Sequence, residues 1–113
     1  MAALSELNCV RPSVNDPKLT EAEIEGYLAH LPGWEMVEQD GERRILKEFK
    51  FKDFSGALAF TDKIGALADQ QDHHPALLTE WGKVTVTWWT HRVKGLHLND
   101  FIMAAKTDRE YIP

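Results

Sequence analysis

The sequence predicts an α+β fold: a four-stranded antiparallel sheet with three helices packed on one face. Three observations lead there. Two hairpin turn signals, Asp40-Gly41 and Gly82-Lys83, each sit between short alternating segments. Apolar residues at helical spacing occur before the first hairpin, between the two, and after the second. The element order is therefore α-β-β-α-β-β-α, and 113 residues suffice for one core but not for two.

Residues 1–18 carry Cys9, Pro12 and Pro17 without helical or strand period, and read as a poorly ordered leader with local turns. A single domain follows over residues 19–113. Thr20 and Glu23 have capping-box spacing, and Ile24, Tyr27, Leu28 and Leu31 continue at helical intervals until Pro32-Gly33. His30 then falls at the C-terminal end of that helix, where a cation is favourable. Trp34 to Gln39 predicts a strand with Trp34 and Met36 on one face. Arg44 to Phe51 predicts its return, with Ile45, Phe49 and Phe51 sharing a face that Lys47 interrupts.

Asp53 is placed to cap the longest helix, which runs to about Gln71 with the stripe Ala57, Phe60, Ile64, Leu67 and Ala68 and with Phe54 at its start. Asp72-His73-His74-Pro75 ends it, because the residue before a proline is pushed out of helical geometry. Ala76 to Trp81 and Val84 to Thr90 form the second hairpin; Val84, Val86 and Trp88 share the core face, and Thr85, Thr87 and Trp89 the other. Asn99 or Asp100 is expected to cap the last helix, through about Arg109.

Charge narrows the function. The formal net charge is −5 and no lysine- or arginine-rich block exists, which argues against nucleic-acid binding. No apolar run reaches the length of a membrane span. The single cysteine, Cys9, has no partner in the chain, so a reducing cytoplasmic setting is expected.

Four of the five histidines lie between residues 73 and 97. His73 and His74 precede the second hairpin and His91 follows it, so the hairpin should return His91 toward the pair. Imidazoles titrate near neutrality and can both donate and accept protons there. Trp81, Trp89 and Thr90 nearby would suit a flat, hydrogen-bonding heterocycle. Blander readings stand beside these. The histidine pair also fits a polar turn, Asp69 a solvated helix surface, Asp100 a helix-start carboxylate, and His97 plain surface. A metal site from His73, His91 and Asp100 is the sharpest competitor, but no HxxxH, HExxH or cysteine pair accompanies it.

Asp69-x-x-x-His73-His74-Pro75, then Thr90-His91-x-x-x-Gly95-Leu96, then Asp100, resembles the pterin-4a-carbinolamine dehydratases. The stretches Thr79 to Trp89 and Gly95 to Ala105 resemble the bacterial branch that accompanies phenylalanine hydroxylase. The likeness in organisation covers roughly residues 19–108, and its specific part is 69–105. Departures are Asp69, where glutamate is frequent, Leu77, where tryptophan is common, and Trp81-Gly82, where animal members have tyrosine-asparagine.

The resemblance implies the same sheet-and-helix fold and catalysis by His73, His74 and His91, with Asp69 orienting His73. It places Pro75, Thr90, Arg92 and Val93 in the pterin site, to which Asp100 and Trp81 are added. The implied reaction removes water from 4a-hydroxytetrahydrobiopterin to give quinonoid dihydropterin, with His74 or His91 as the acid. It requires no metal or redox cofactor. Implied partners are the pterin itself, a homodimer or tetramer of this chain, and a functional link to an aromatic amino acid hydroxylase. Animal relatives also stabilise dimers of a transcription factor, so a protein-interaction or coactivator role is the alternative from another class.

Overall fold

In the computed structural model, residues 3–112 are described; Met1, Ala2 and Pro113, the outer ends of the expected leader and domain, lie outside the described residues. Thr20 opens the first helix, α1 (Glu21–Leu28), by accepting from the Glu23 N–H while Glu23 reaches back to the Thr20 N–H. This satisfies two of the amides that a helix start leaves without partners. Two strands follow, β1 (Glu35–Gln39) and β2 (Glu42–Lys50), joined at Asp40-Gly41, where both residues have positive φ. That pair of left-handed residues gives the tight turn its twist.

Asp53 caps α2 (Phe54–Gln71) by accepting from the Gly56 N–H. The second hairpin is β3 (Ala76–Glu80) and β4 (Lys83–Trp88), and the last helix is α3 (Leu98–Glu110). Its turn needs Gly82, with φ +76 and a Cβ position that would lie 3.1 Å from the Phe51 carbonyl oxygen.

The sheet order is β1-β2-β4-β3 with every neighbouring pair antiparallel, so the two hairpins join through β2 and β4. Ile45 faces Trp88 and Phe49 faces Val84 on the helix-covered side. Those four, with Val86, are closed off completely or nearly so. Ala57, Phe60, Ile64 and Ala68 of α2 and Phe101, Met103 and Ala104 of α3 pack over them. Leu67 is half-buried, and Phe54, at the first turn, is exposed.

Lys47 interrupts the apolar face as expected, and its charge is accounted for. Its Nζ lies 3.0 Å from Asp108 Oδ1, and the same carboxylate accepts from Trp34 Nε1. Trp88, also fully enclosed, donates its indole N–H to Thr107 Oγ1. Among the described residues no helix is long and apolar enough to cross a membrane.

Three local expectations are corrected. β4 stops at Trp88, not Thr90, because Thr90 pairs its backbone with Gly95 instead and His91–Val93 coil into a 3-10 turn. The cap of α3 is His97, not Asn99 or Asp100: its Nδ1 accepts from the Asn99 N–H. His97 is therefore no idle surface group, and its side chain is mostly covered. The leader holds the expected turns, including a 3-10 turn at Leu4–Glu6, and it also docks. Cys9 and Val10 donate backbone N–H groups to Gln71 of α2 and Asn99 of α3, and Asn99 Nδ2 returns a bond to the Val10 carbonyl.

Candidate active site

The end of α2 sets the site. Asp72 takes a left-handed conformation (φ 53, ψ 42), which lets the His73 N–H bond back to the Ala68 carbonyl and the Asp72 N–H to the Asp69 carbonyl. This is the Schellman closure of a helix, here made by aspartate rather than glycine. It swings the chain sideways before Pro75. As a result the expected pairing of Asp69 with His73 does not form. Asp69 Oδ1 lies 3.0 Å from His74 Nε2, and His73 turns inward to meet Asp100.

His73 is the buried member of the pair. Its ring stacks nearly parallel on Trp88 at a centroid distance of 5.8 Å, and its Nε2 lies 2.7 Å from Asp100 Oδ1. Asp100 is 0% exposed. Its second oxygen, Oδ2, accepts from Thr90 Oγ1 at 2.8 Å and from the His97 N–H at 2.9 Å. Three donors offset the cost of enclosing a carboxylate. Asp100, expected to bind substrate directly, thus has both oxygens engaged, and its influence outward runs through His73 and Thr90.

The register explains why these groups meet. Continuing the β3–β4 pairing beyond Ala76 and Thr87 brings His73 opposite Thr90, and Asp100 at the start of α3 bridges them. His91, the next residue, returns to this end of the sheet as the hairpin argument requires. Its imidazole is turned toward β2, where Nδ1 lies 3.3 Å from Glu42 Oε2. His74 and His91 are open to solvent, at 58% and 84% side-chain exposure, so two imidazoles can reach a substrate while the third is anchored below.

Of the other expected lining residues, Arg92 is exposed, Pro75 is half-buried, and Thr90 and Val93 are buried. Trp81 does not join them. It lies 73% exposed in the β3–β4 turn, at the far end of the hairpin from His73 and His74. A five-residue strand separates the two ends by about 17 Å. The indole on the histidine side is Trp89, whose ring lies 3.9 Å beneath the Arg44 guanidinium.

Glu42 and Arg44 are participants that the residue pattern did not single out. Their signal was the hairpin register beside His91, which needs the strand order. A cavity of about 890 Å³ between the leader, α1 and α3 includes none of His73, His74 and His91 in its walls. Among the described residues no group of three or more His, Cys, Asp or Glu side chains is arranged to hold a metal ion.

An α+β domain with three imidazoles at one end of its sheet, each against a carboxylate, has the makings of an acid–base enzyme. Residues 17–110 match the family profile described as pterin 4 alpha carbinolamine dehydratase. The chain belongs to that family, one of hydro-lyases. A provisionally named pterin-4-alpha-carbinolamine dehydratase of Nitrosococcus oceani is 52% identical over 109 residues, 96% of each chain. A protein of the same provisional name from Marinobacter nauticus is 49% identical, covering 98% of this chain and 100% of its own.

Among solved structures, a transcriptional coactivator/pterin dehydratase from Brucella melitensis superposes with TM-score 0.75 at 39% identity, over 82% of this chain and 97% of that one. A pterin dehydratase-like RuBisCO assembly factor of the alpha-carboxysome shares the fold, with TM-score 0.59 at 21% identity over 72% and 92% of the two chains.

Proposed function

We propose that this chain dehydrates 4a-hydroxytetrahydrobiopterin to quinonoid dihydropterin, recycling the pterin cofactor of an aromatic amino acid hydroxylase. The observation that carries the reading is the pairing of His73 with Asp100 and of His74 with Asp69, beside the exposed His91. In the substrate, hydroxyl and ring nitrogen share one carbon. An imidazolium gives its proton to the hydroxyl, the C–O bond breaks as the nitrogen lone pair moves in, and water leaves. A neutral imidazole takes the nitrogen's proton, so the cycle is balanced without an oxidant or reductant.

His74 and His91, both open to solvent, are the groups assigned to these transfers, and His73 holds the floor of the site. Asp69 then serves His74 rather than His73. Pro75, Thr90, Arg92 and Val93 shape the surroundings of the pterin. Acid–base help of about 100- to 10,000-fold suffices for a reaction already facile in water.

The reading includes a cytoplasmic homodimer or tetramer. The outer edges of β1 and β3, each paired on one side only among the described residues, support self-association. The unpaired Cys9 supports a reducing compartment. A coactivator-like interaction role is the second reading, favoured by the dual description of the Brucella melitensis structure.

Stopped-flow measurement with enzymatically generated 4a-hydroxytetrahydropterin, in the presence of a strong chelator, is the test. Full acceleration under chelation is expected. Loss on chelation with recovery on adding zinc or iron would replace the acid–base reading with a metal one.

A further inference from the structure

We infer that Glu42, on the neighbouring strand β2, is a positioning residue that fixes the orientation and tautomer of His91. The β2–β4 pairing ends at Ile45 and Trp88, and just beyond that end the carboxylate Oε2 of Glu42 lies at an ion-pair distance of 3.3 Å from His91 Nδ1. The two partners differ in freedom. His91 is 84% exposed, whereas Glu42 is only 12% exposed, so the carboxylate is the fixed point and the imidazole the group that is held.

Glu42 is itself supported. Its other oxygen, Oε1, lies 3.9 Å from Arg44 Nη2, and the Arg44 side chain is equally covered. The Arg44 guanidinium sits 3.9 Å over the Trp89 ring, two residues before His91. Its Nε is buried without a hydrogen-bond partner among the described residues, so face contact with the indole and the nearby carboxylates balance its charge. Trp89, Arg44, Glu42 and His91 form one continuous support from the segment after β4 to β2 and back.

The chemistry follows from which nitrogen is held. A negative carboxylate beside Nδ1 favours the proton there and leaves the lone pair on Nε2. His73 and His74 are held the opposite way, through Nε2. His91 is thus the one imidazole of the three that offers its far nitrogen. In neutral form it accepts a proton at Nε2, and in charged form it donates from that same atom.

This inference rests on the reading of His91 as a proton-transfer group, and the experiment separates the two. Imidazole ¹⁵N shifts of histidine-labelled protein, with His91 assigned by comparison with His91→Gln, report its tautomer when the ring is neutral. The wild type should show the Nδ1–H form. Glu42→Ala should return His91 to the Nε2–H form that free imidazoles prefer, and Glu42→Asp should keep part of the Nδ1–H population. Dehydration by Glu42→Ala should fall about tenfold in kcat with KM within about twofold, and Glu42→Asp should recover part of the loss.

Glu42→Gln, which preserves shape, guards against a variant that does not fold. It should lose rate while its circular dichroism is unchanged. An Nε2–H form in the wild type, a tautomer indifferent to Glu42→Ala, or an altered tautomer with full turnover would each overturn the assignment. Should the wild type not dehydrate the carbinolamine at all, the functional reading fails, while the ¹⁵N comparison still decides whether Glu42 holds His91.

Discussion

His73 Nε2 and Asp100 Oδ1 lie 2.7 Å apart with both side chains almost wholly enclosed, whereas His74 and Asp69, only a short distance along the chain, pair in the open. The two pairs repeat one chemistry at opposite solvent exposures. Their removal should therefore read out differently.

Asp100→Ala should destabilise the fold by about 3 kcal/mol or more. It strands His73, Thr90 Oγ1 and the His97 N–H together, and breaking a buried pair from one side carries that scale of cost. Urea unfolding measures it. A loss under about 1 kcal/mol would mean that the enclosed network relaxes or admits water.

Asp69→Asn should behave in reverse, with stability within about 0.5 kcal/mol of the parent, because a solvent-exposed polar pair contributes little. Turnover should fall, since His74 loses its orienting carboxylate. Asp69→Glu should be tolerated. Full turnover in Asp69→Asn would leave the carboxylate as plain helix surface.

His91→Ala should lose about 100-fold in turnover, the usual scale for a positioned proton-transfer group. Its unfolding midpoint should barely move, given 84% exposure of the side chain. Paired stopped-flow and thermal unfolding would decide. A variant that melts early yet turns over normally while folded would make His91 structural.

Cys9 should resist alkylation. Burial, with the negative charge of Asp100 adding to it, pushes the thiol from 9.0 up to about 11. A two-unit rise leaves about 100-fold less thiolate at pH 8, so iodoacetamide should react far faster once urea is added. The sign for stability follows. A raised folded value means that the sheltered thiol's contribution is complete below pH 9.0 and is lost as pH climbs through about 11. Cys9→Ser should lack this alkaline dependence; an identical pH profile in the two proteins would remove Cys9 as its source.

Much of the fold was legible because its signals are local. The Thr20–Glu23 box, the Asp53 cap, the Asp40-Gly41 turn and the Val84–Val86–Trp88 face each follow from neighbours in sequence. The approach of Thr90 to His73 through Asp100 was legible for a related reason: a hairpin must bring its ends together. What escaped depends on distant strands or on a single dihedral angle. Exchange of carboxylate partners between His73 and His74 turns on Asp72 taking φ 53, which no spacing rule announces for an aspartate. Glu42 escaped because periodicity does not say that β2 lies beside β4. Trp81 has the residue type of a heterocycle contact, but the length of β3 carries it to the far end of the hairpin from the histidines.

The bond between Val10 and Asn99 spans 89 positions, and that separation has a consequence for synthesis. The leader leaves the ribosome well before its docking partner exists. At about 5–20 residues per second, it waits roughly 4–18 s for Asn99 to be made. During that interval the Cys9 thiol lacks the shelter that α3 provides, and it is open to any oxidant or metal in the nascent chain's surroundings. The protection of this cysteine is thus a property acquired late, when α3 closes over residues made well before it.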